Sequence, residues 1–432
     1  MPTKNDDRLL GAARRLFTHL LEIAGGGVGV ELWDGSVLPA GRGDDPLRIA
    51  VAAPAAITRL VRRPRAPTLI DLYAEGLLDI RGGTLFDLAA ARPAVASREI
   101  RRRLDKRLVL SCLLPFLFAK SAPALASLDG GRDASRARGS GKADIAFHYD
   151  VSNRFYELFL DPAMVYTCAY FRDWSGDLAT AQADKLDMIC RKLRLQPGDR
   201  LLDIGCGWGA LIGHAAEHYG VTALGVTLSA EQAELARTRL AARGLAGRTE
   251  VRLVDYREVE GPFDKISSIG MFEHVGIAQH AAYFSKIREL LRPGGVYLHH
   301  AITRRGKRTE KAFGAKRAEY EAMTRYIFPG AEVDHIGMTL RNLEGYGFEV
   351  HDVEGWREHY GRTTELWARR LIDARDAAIA EVGEAKYRLW VLYLSGVSLA
   401  FQRGTLQIFQ TVATRRGKGP SGMPPTREDL YR

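Results

Sequence analysis

The sequence predicts an α/β protein: a doubly wound seven-stranded sheet with helical lid insertions, preceded by a smaller mixed α/β domain. Three observations predict it. From Ala143 onward, short apolar runs alternate with segments of helical spacing, the pattern of parallel strands joined by crossover helices. One such run, LLDIGCGWG (201–209), ends in glycines at alternate positions and leads directly into a helical segment. A small, polar, Gly/Ser-rich stretch over 122–142 reads as an exposed linker and sets the two parts off. The expected division is therefore 1–121, a linker 122–142, and a larger domain 143–432.

Taken in order, strands are expected at 200–205, 223–228, 250–255, 265–270 and 295–302, with later ones at 348–353 and 406–412. Helices fall between them, at 210–219, 230–243 and 279–291, the last stopped by Pro293-Gly294-Gly295. An insertion over 304–330 is rich in Lys and Arg at first and then aromatic. A long helical region over 367–401 precedes the last strand. No internal repeat is visible.

Composition fits a globular chain: 432 residues, 46% hydrophobic and 26% charged. The four cysteines, Cys112, Cys168, Cys190 and Cys206, lie far apart without C-x-x-C pairing. That fits neither a disulfide framework nor a zinc site; no metal is expected, and a reducing cytoplasm is the simplest setting. The opening MPTKNDDRLL lacks the basic-then-apolar layout of a signal peptide. No run reaches the roughly eighteen apolar residues of a spanning helix. The nearest, LVLSCLLPFLFA (108–119), is shorter and is interrupted by Pro115. The first 145 residues carry +7 of the net +10 charge. There the basic segment SREIRRRLDKR (97–107) stands directly before the apolar one, a pairing suited to an anionic lipid surface. A solvated helix face followed by a core helix is the plainer alternative. The expected location is cytoplasmic, peripheral to the inner face of the membrane; a homodimer is compatible with all these features.

The glycines of 201–209 let the backbone turn tightly and approach a ligand. Their spacing, G-x-G-x-G, is not the G-x-G-x-x-G dinucleotide fingerprint. It resembles the cofactor loop of class I S-adenosylmethionine methyltransferases, whose ligand is a nucleoside sulfonium without a phosphate. The resemblance sharpens over 147–412, where the chain is similar to cyclopropane-fatty-acyl-phospholipid synthases and mycolic acid cyclopropane synthases. The pieces stand in family order: HYDVSNRFYELFLDPAMVYTCAYF (148–171), LLDIGCGWG (201–209), GVTLSAEQ (225–232), SIGMFEHVG (268–276), LHHAIT (298–303), YIFPG (326–330) and HYGRTTELW (359–367). A weaker piece, PTLIDLYAEGLLDI (67–80), resembles the lipid-binding domain of the phospholipid enzymes.

The resemblance implies an S-adenosylmethionine site built from Tyr166, Thr167, Asp203, Gly205, Cys206, Gly207, Trp208, Gly209, Thr227, Leu228, Gln232, Asp255 and Tyr256. Thr227 stands where most such enzymes place an acidic residue for the ribose, a departure that agrees with the cyclopropane subfamily. Asp255 and Tyr256 suit the adenine amino group and a stacking ring.

The implied substrate is the cis double bond of an unsaturated phospholipid acyl chain, and the implied base is bicarbonate. An isolated alkene is a weak nucleophile. Its methylation leaves a carbocation, and ring closure needs loss of a proton from the new methyl. Such a site needs a nearby base, aromatic faces and exclusion of water. The resemblance assigns the anion to Cys168, Glu273, His300 and Tyr360 with the backbone of Ile302. His299 is the alternative to His300, since strand alternation lets one of the two face the pocket. Phe171, Tyr283, Phe284, Tyr326 and Phe328 are candidates for the wall around the chain, with core packing as the other reading.

Val397 stands where relatives often carry a cysteine, and Ala301 where they often carry threonine. These departures leave the product open between a cyclopropane and a methyl-branched or methylene chain. Amine N-methylation on the same fold would not require Cys168, His300 and Tyr360. The segment GMFEHVG stands where base methylators place an N-P-P-Y-like motif, so no nucleic-acid partner is expected. A non-catalytic lipid-binding protein would not need both residue sets.

Overall fold

The computed structural model describes residues 4–25, 27–39, 46–91, 93, 95–119, 151–314 and 332–431. The linker 122–142, residues 148–150 of the first motif, and YIFPG with Tyr326 and Phe328 lie outside the described residues. What is described falls into two compact units. One takes 4–119 and Val382–Leu399; the other takes 151–314, 332–381 and 400–431.

In the first unit, the helix Lys4–Ala24 turns Leu9, Ala12, Ala13 and Leu16 inward, three or four residues apart on one face. Leu9, Ala12 and Ala13 pack with Val30, Leu32, Val51, Ile57, Leu72 and Phe116 into one core. Its four strands are β1 (Gly29–Glu31), β2 (Val37–Leu38), β3 (Arg48–Val51) and β4 (Leu78–Arg81), in the order β2-β1-β3-β4. The helix Lys106–Phe118 is started by Asp105, whose carboxylate accepts from the N–H groups of Arg107 and Leu108. It runs through Pro115 rather than breaking there. Proline removes one rung of the ladder, and the burial of Cys112 and Phe116 on either side holds the helix together. Val382–Leu399, expected with the second domain, groups with the first. There Arg388 donates to the carbonyls of Tyr73 and Leu78 and to Asp79, with its guanidinium 4.4 Å from the centre of the Tyr73 ring.

The second unit is built on seven strands: β5 (Arg200–Ile204), β6 (Thr222–Thr227), β7 (Thr249–Leu253), β8 (Phe263–Ile269), β9 (Leu291–Arg304), β10 (Phe348–Gly355) and β11 (Leu406–Arg415). Their order is β10-β11-β9-β8-β5-β6-β7. The five strands β9-β8-β5-β6-β7 are parallel, and β11 runs antiparallel to both β9 and β10. Alternation divides the apolar residues between two faces: Leu201, Ala223, Val296 and Leu298 join one core, Leu202, Leu224, Tyr297 and Ala301 the other. The seven expected strands and the helix Ala210–Tyr219 are all present. The helix before β9 ends at Leu290 and the strand starts at Leu291, so Pro293-Gly294-Gly295 lies inside β9 rather than ahead of it. The long helical region is three helices, Arg357–Asp373, Arg375–Val382 and Glu384–Gln402.

The first strand of the sheet, β5, lies in its middle, with β6 on one side and β8 on the other. Chain direction across the sheet reverses there, and a crevice opens beyond the carboxyl ends of the strands.

Candidate active site

A cavity of about 640 Å³ occupies that crevice. Every residue of the implied cofactor set lines it except Gly209. The loop after β5 forms its floor. Gly207 has φ +52°, and a Cβ there would meet nothing within 4 Å, so this backbone is bare towards the open space. Gly209 does a different job. It starts the helix Ala210–Tyr219 with φ +79°, and a Cβ there would come within 3.3 Å of Ala236 and 3.2 Å of Leu240. It lets two helices close on each other rather than meeting the ligand space.

At the end of β6, the Thr227 hydroxyl donates to Gln232 Oε1 at 2.9 Å and accepts from the Ser229 N–H. Asp255 lines the cavity, but Arg257 grips both its oxygens, at 2.9 and 2.6 Å. Tyr256 stands edge-on to Tyr283 at 5.5 Å. Trp208 donates its indole N–H to Asn153, and Tyr166 packs between Tyr156 and Trp367. Asp203 is buried and accepts from the Ser267 hydroxyl at 2.7 Å; burial pushes its carboxyl up to about 6.

The implied catalytic residues do not line this cavity; they lie in the wall next to it. Glu273 follows β8 in a single 3-10 turn, Phe272–His274. The Ile302 N–H donates to Glu273 Oε1 at 2.6 Å, while Oε2 is buried with no hydrogen-bond partner among the described residues. Burial raises the Glu273 carboxyl to about 7. The Ile302 N–H thus orients the Glu273 carboxylate.

Cys168 and His300 meet around Trp356, just before the helix Arg357–Asp373, while the Tyr360 ring packs against Phe401 at 4.8 Å and Trp367 at 6.0 Å. The Trp356 carbonyl takes the Cys168 thiol at 3.8 Å and the Tyr360 N–H at 3.1 Å, and its ring meets the His300 ring edge-on at 5.3 Å. Burial pushes the Cys168 thiol up, so it is a neutral donor and not a thiolate. His300 Nδ1 meets Gln410 Nε2 at 3.1 Å, and Nε2 is buried without a partner among the described residues. Burial holds this imidazole well below its usual range. His299 faces the other way, against Phe272 and the Tyr297 hydroxyl. Tyr283 and Phe284 are fully buried core residues, Tyr283 hydrogen-bonded to Tyr297, so the core reading applies to both. Phe171 stacks parallel to His359 at 6.3 Å.

Sequence reasoning missed Trp356, which belongs to no glycine or charge pattern. It also missed Lys185, Met271, His274 and Gln279 in the cavity wall. Lys185 is buried beneath it and donates to the Thr167 hydroxyl at 2.9 Å; burial lowers its ammonium to about 8. A lysine in a helix amid apolar positions is the signal that was there to find.

Four likenesses to known proteins bear on this site. The mycolic acid cyclopropane synthetase family matches residues 137–411. A Pseudomonas putida protein named "Probable fatty acid methyltransferase" is 43% identical over 294 residues, covering 67% of this chain and 73% of its own. A Mycobacterium tuberculosis protein, "Probable fatty acid methyltransferase Rv3720", is 35% identical over 392 residues, 89% of this chain and 90% of its own. Among solved structures, the mycolic acid cyclopropane synthase CmaA1 complexed with SAH and CTAB is 36% identical with a TM-score of 0.59, over 63% of this chain and 98% of that one. With the crevice, the glycine loop and the buried polar set already in place, the chain belongs to the mycolic acid cyclopropane synthetase family and is an S-adenosylmethionine-dependent methyltransferase.

Proposed function

We propose that the protein methylates the cis double bond of an unsaturated phospholipid acyl chain and closes a cyclopropane ring. The carrying observation is that Glu273 Oε2 and His300 Nε2 are both buried without a hydrogen-bond partner among the described residues. Leaving such atoms unmet costs about 1–3 kcal/mol each. They fit a small hydroxylated anion: a carboxylate oxygen to accept from its hydroxyl, an imidazole N–H to donate to its charge. Bicarbonate has that chemistry and, when bound, supplies a base near neutral pH. S-adenosylmethionine, when bound, supplies the electrophilic methyl.

The chain's own residues do the rest. The loop at Gly205 and Gly207, with Tyr166 and Thr167, holds the methionine end. Thr227 and Gln232 hold the ribose, and Asp255 and Tyr256 flank the adenine. Ile302 and Cys168 act as positioning residues, the first through Glu273 and the second through the Trp356 carbonyl. The Trp356 ring adds an aromatic face beside His300, which keeps a developing cation in apolar company and away from water.

The acyl chain has to be reached in a bilayer. Among the described residues no helix is long and apolar enough to cross one. The helix Lys106–Phe118 exposes Leu110, Leu114, Leu117 and Phe118, and Arg101, Arg102 and Arg103 end the helix just before it. Apolar side chains flanked by cations suit peripheral docking on anionic lipid at the cytoplasmic face.

A second reading, in which the same cation loses a proton to give a methylene or a methyl-branched alkene instead of a ring, is favoured by the likeness to two proteins named fatty acid methyltransferases. One experiment separates them. Purified protein is incubated with S-adenosylmethionine and unsaturated phospholipid vesicles, and the acyl chains are analysed by mass spectrometry and proton NMR. A gain of one CH2 with high-field ring protons supports cyclopropanation; alkene protons on a methylene supports the second reading. Turnover of a soluble amine with no lipid product rejects both.

A further inference from the structure

Behind His300, on the side away from its free Nε2, lies a buried polar chain that the reaction itself does not use. Lys192 is 1% exposed, on the inner face of the helix Leu178–Lys192. Its ammonium pairs with Glu354 on β10 and donates to Gln410 Oε1 on β11 at 2.7 Å. It also lies 5.1 Å from the centre of the Trp356 ring. Gln410 is fully buried, and its other terminus, Nε2, meets His300 Nδ1 on β9 at 3.1 Å. Gln410 and His300 are directly opposite in the β11–β9 ladder, which fixes the approach.

These contacts have one consistent arrangement of protons. A lysine ammonium has donors and no acceptor, so the Gln410 end facing Lys192 must be its carbonyl oxygen. The end facing His300 is then the NH2, a donor, and Nδ1 must accept. A neutral imidazole that accepts at Nδ1 carries its proton on Nε2. Burial holds His300 in the neutral form.

We propose that Lys192 and Gln410 are positioning residues that fix His300 as its Nε2–H tautomer, so that a hydrogen-bond donor faces the active site. Neither residue touches the reacting atoms. Without the lysine, the amide is free to rotate by half a turn, and its oxygen would then draw the imidazole proton to Nδ1. The donor would become an acceptor, which repels an anion. The proposal rests on the reading of His300 as an anion donor only in its consequence for catalysis. The tautomer itself follows from the geometry alone.

The test uses the full-length protein with 15N-labelled histidine. The His300 ring signals are assigned by their loss in His300→Gln, and the tautomer is read from the two ring nitrogen shifts. Wild type is expected to have Nε2 protonated and Nδ1 bare. Gln410→Glu places a second acceptor opposite Nδ1 with Lys192 still beside it, and Nδ1 is expected to become protonated. Lys192→Met is expected to give a mixture of the two tautomers. A protonated Nδ1 in wild type, or an unchanged pattern in Gln410→Glu, overturns the proposal; the wild-type measurement decides even if the variants do not fold. Methyl transfer to vesicles is measured in parallel. A reversed tautomer with turnover lowered tenfold or more, at unchanged KM for S-adenosylmethionine, supports both the relay and the role of His300. A reversed tautomer with full turnover leaves the relay standing and removes His300 from the proposed reaction.

Discussion

At the scale of single residues, the site separates binding from chemistry. The cofactor set lines the cavity, while Glu273 lies outside its lining and is held by the Ile302 N–H. Glu273→Gln should therefore leave affinity for S-adenosylmethionine within about twofold while lowering turnover by about 100-fold or more. Calorimetric titration with the cofactor and a vesicle assay check the two halves. Loss of cofactor binding with turnover preserved in the bound enzyme would contradict this role. Some of these partnerships were legible in the sequence. Thr227 and Gln232 are five residues apart across a strand end and a helix start, a local arrangement that pattern reading reaches. The chain from Lys192 through Gln410 to His300 was not. Its links span 218 and 110 residues and exist only once β11 lies between β9 and β10.

At the scale of elements, the cofactor loop depends on the strand beside it. Gly225 lies within β6, and a Cβ there would come within 2.8 Å of both Cβ and Sγ of Cys206 in the loop. Gly225→Ala should push the loop towards the cavity, costing about 1–3 kcal/mol of stability and weakening cofactor binding at least tenfold. Thermal melting and titration measure these. The basic and apolar helices of the first unit make a separate prediction. Arg102 and Arg103 are 79% and 55% exposed, and Phe118 is 79% exposed. Replacing Arg101, Arg102 and Arg103 together by Gln removes about 1 kcal/mol of lipid attraction per charge. Binding to anionic vesicles should fall about 100-fold, and the difference should vanish on neutral vesicles. Phe118→Asp should weaken binding to both kinds while leaving the melting temperature nearly unchanged. The order of charge and apolarity here was legible in the sequence, because both follow from adjacent residues. That Pro115 would be carried within the helix depended on a core that only folding assembles.

At the scale of the whole molecule, the reactive set lowers stability above neutral pH. The folded Glu273 carboxyl, at about 7, binds its proton more tightly than the unfolded one, at 4.5. Its contribution is fully present below pH 4.5 and is lost as pH rises through about 7. Glutamine imitates the protonated form at every pH. Glu273→Gln should therefore match wild type near pH 4 and exceed it by about 3 kcal/mol at pH 8. Denaturant unfolding at the two pH values checks this, and equal stability at both would show that the carboxyl is not held protonated by burial. Asp203, raised to about 6, adds to the same slope. His299, lowered to about 3, acts oppositely: it stays neutral in the fold, and stability is lost as pH falls below 6.5. The difference between variant and wild type isolates Glu273 from both.

The sequence by itself determined the seven strands, the glycine turn and the helix after it, and it named part of the cavity lining. Those features are local: strand period, turn chemistry and helix spacing are each written within a few residues. Only the tertiary structure decided which polar atoms are spent and which are left over. Ile302 gives its N–H to Glu273, Gly209 seats the helix that follows the loop, and Trp356 meets both Cys168 and His300. Hydrogen-bond partners and burial are properties of residues brought together from distant parts of the chain. No local pattern encodes them, so the residue types were legible and the division of their roles was not.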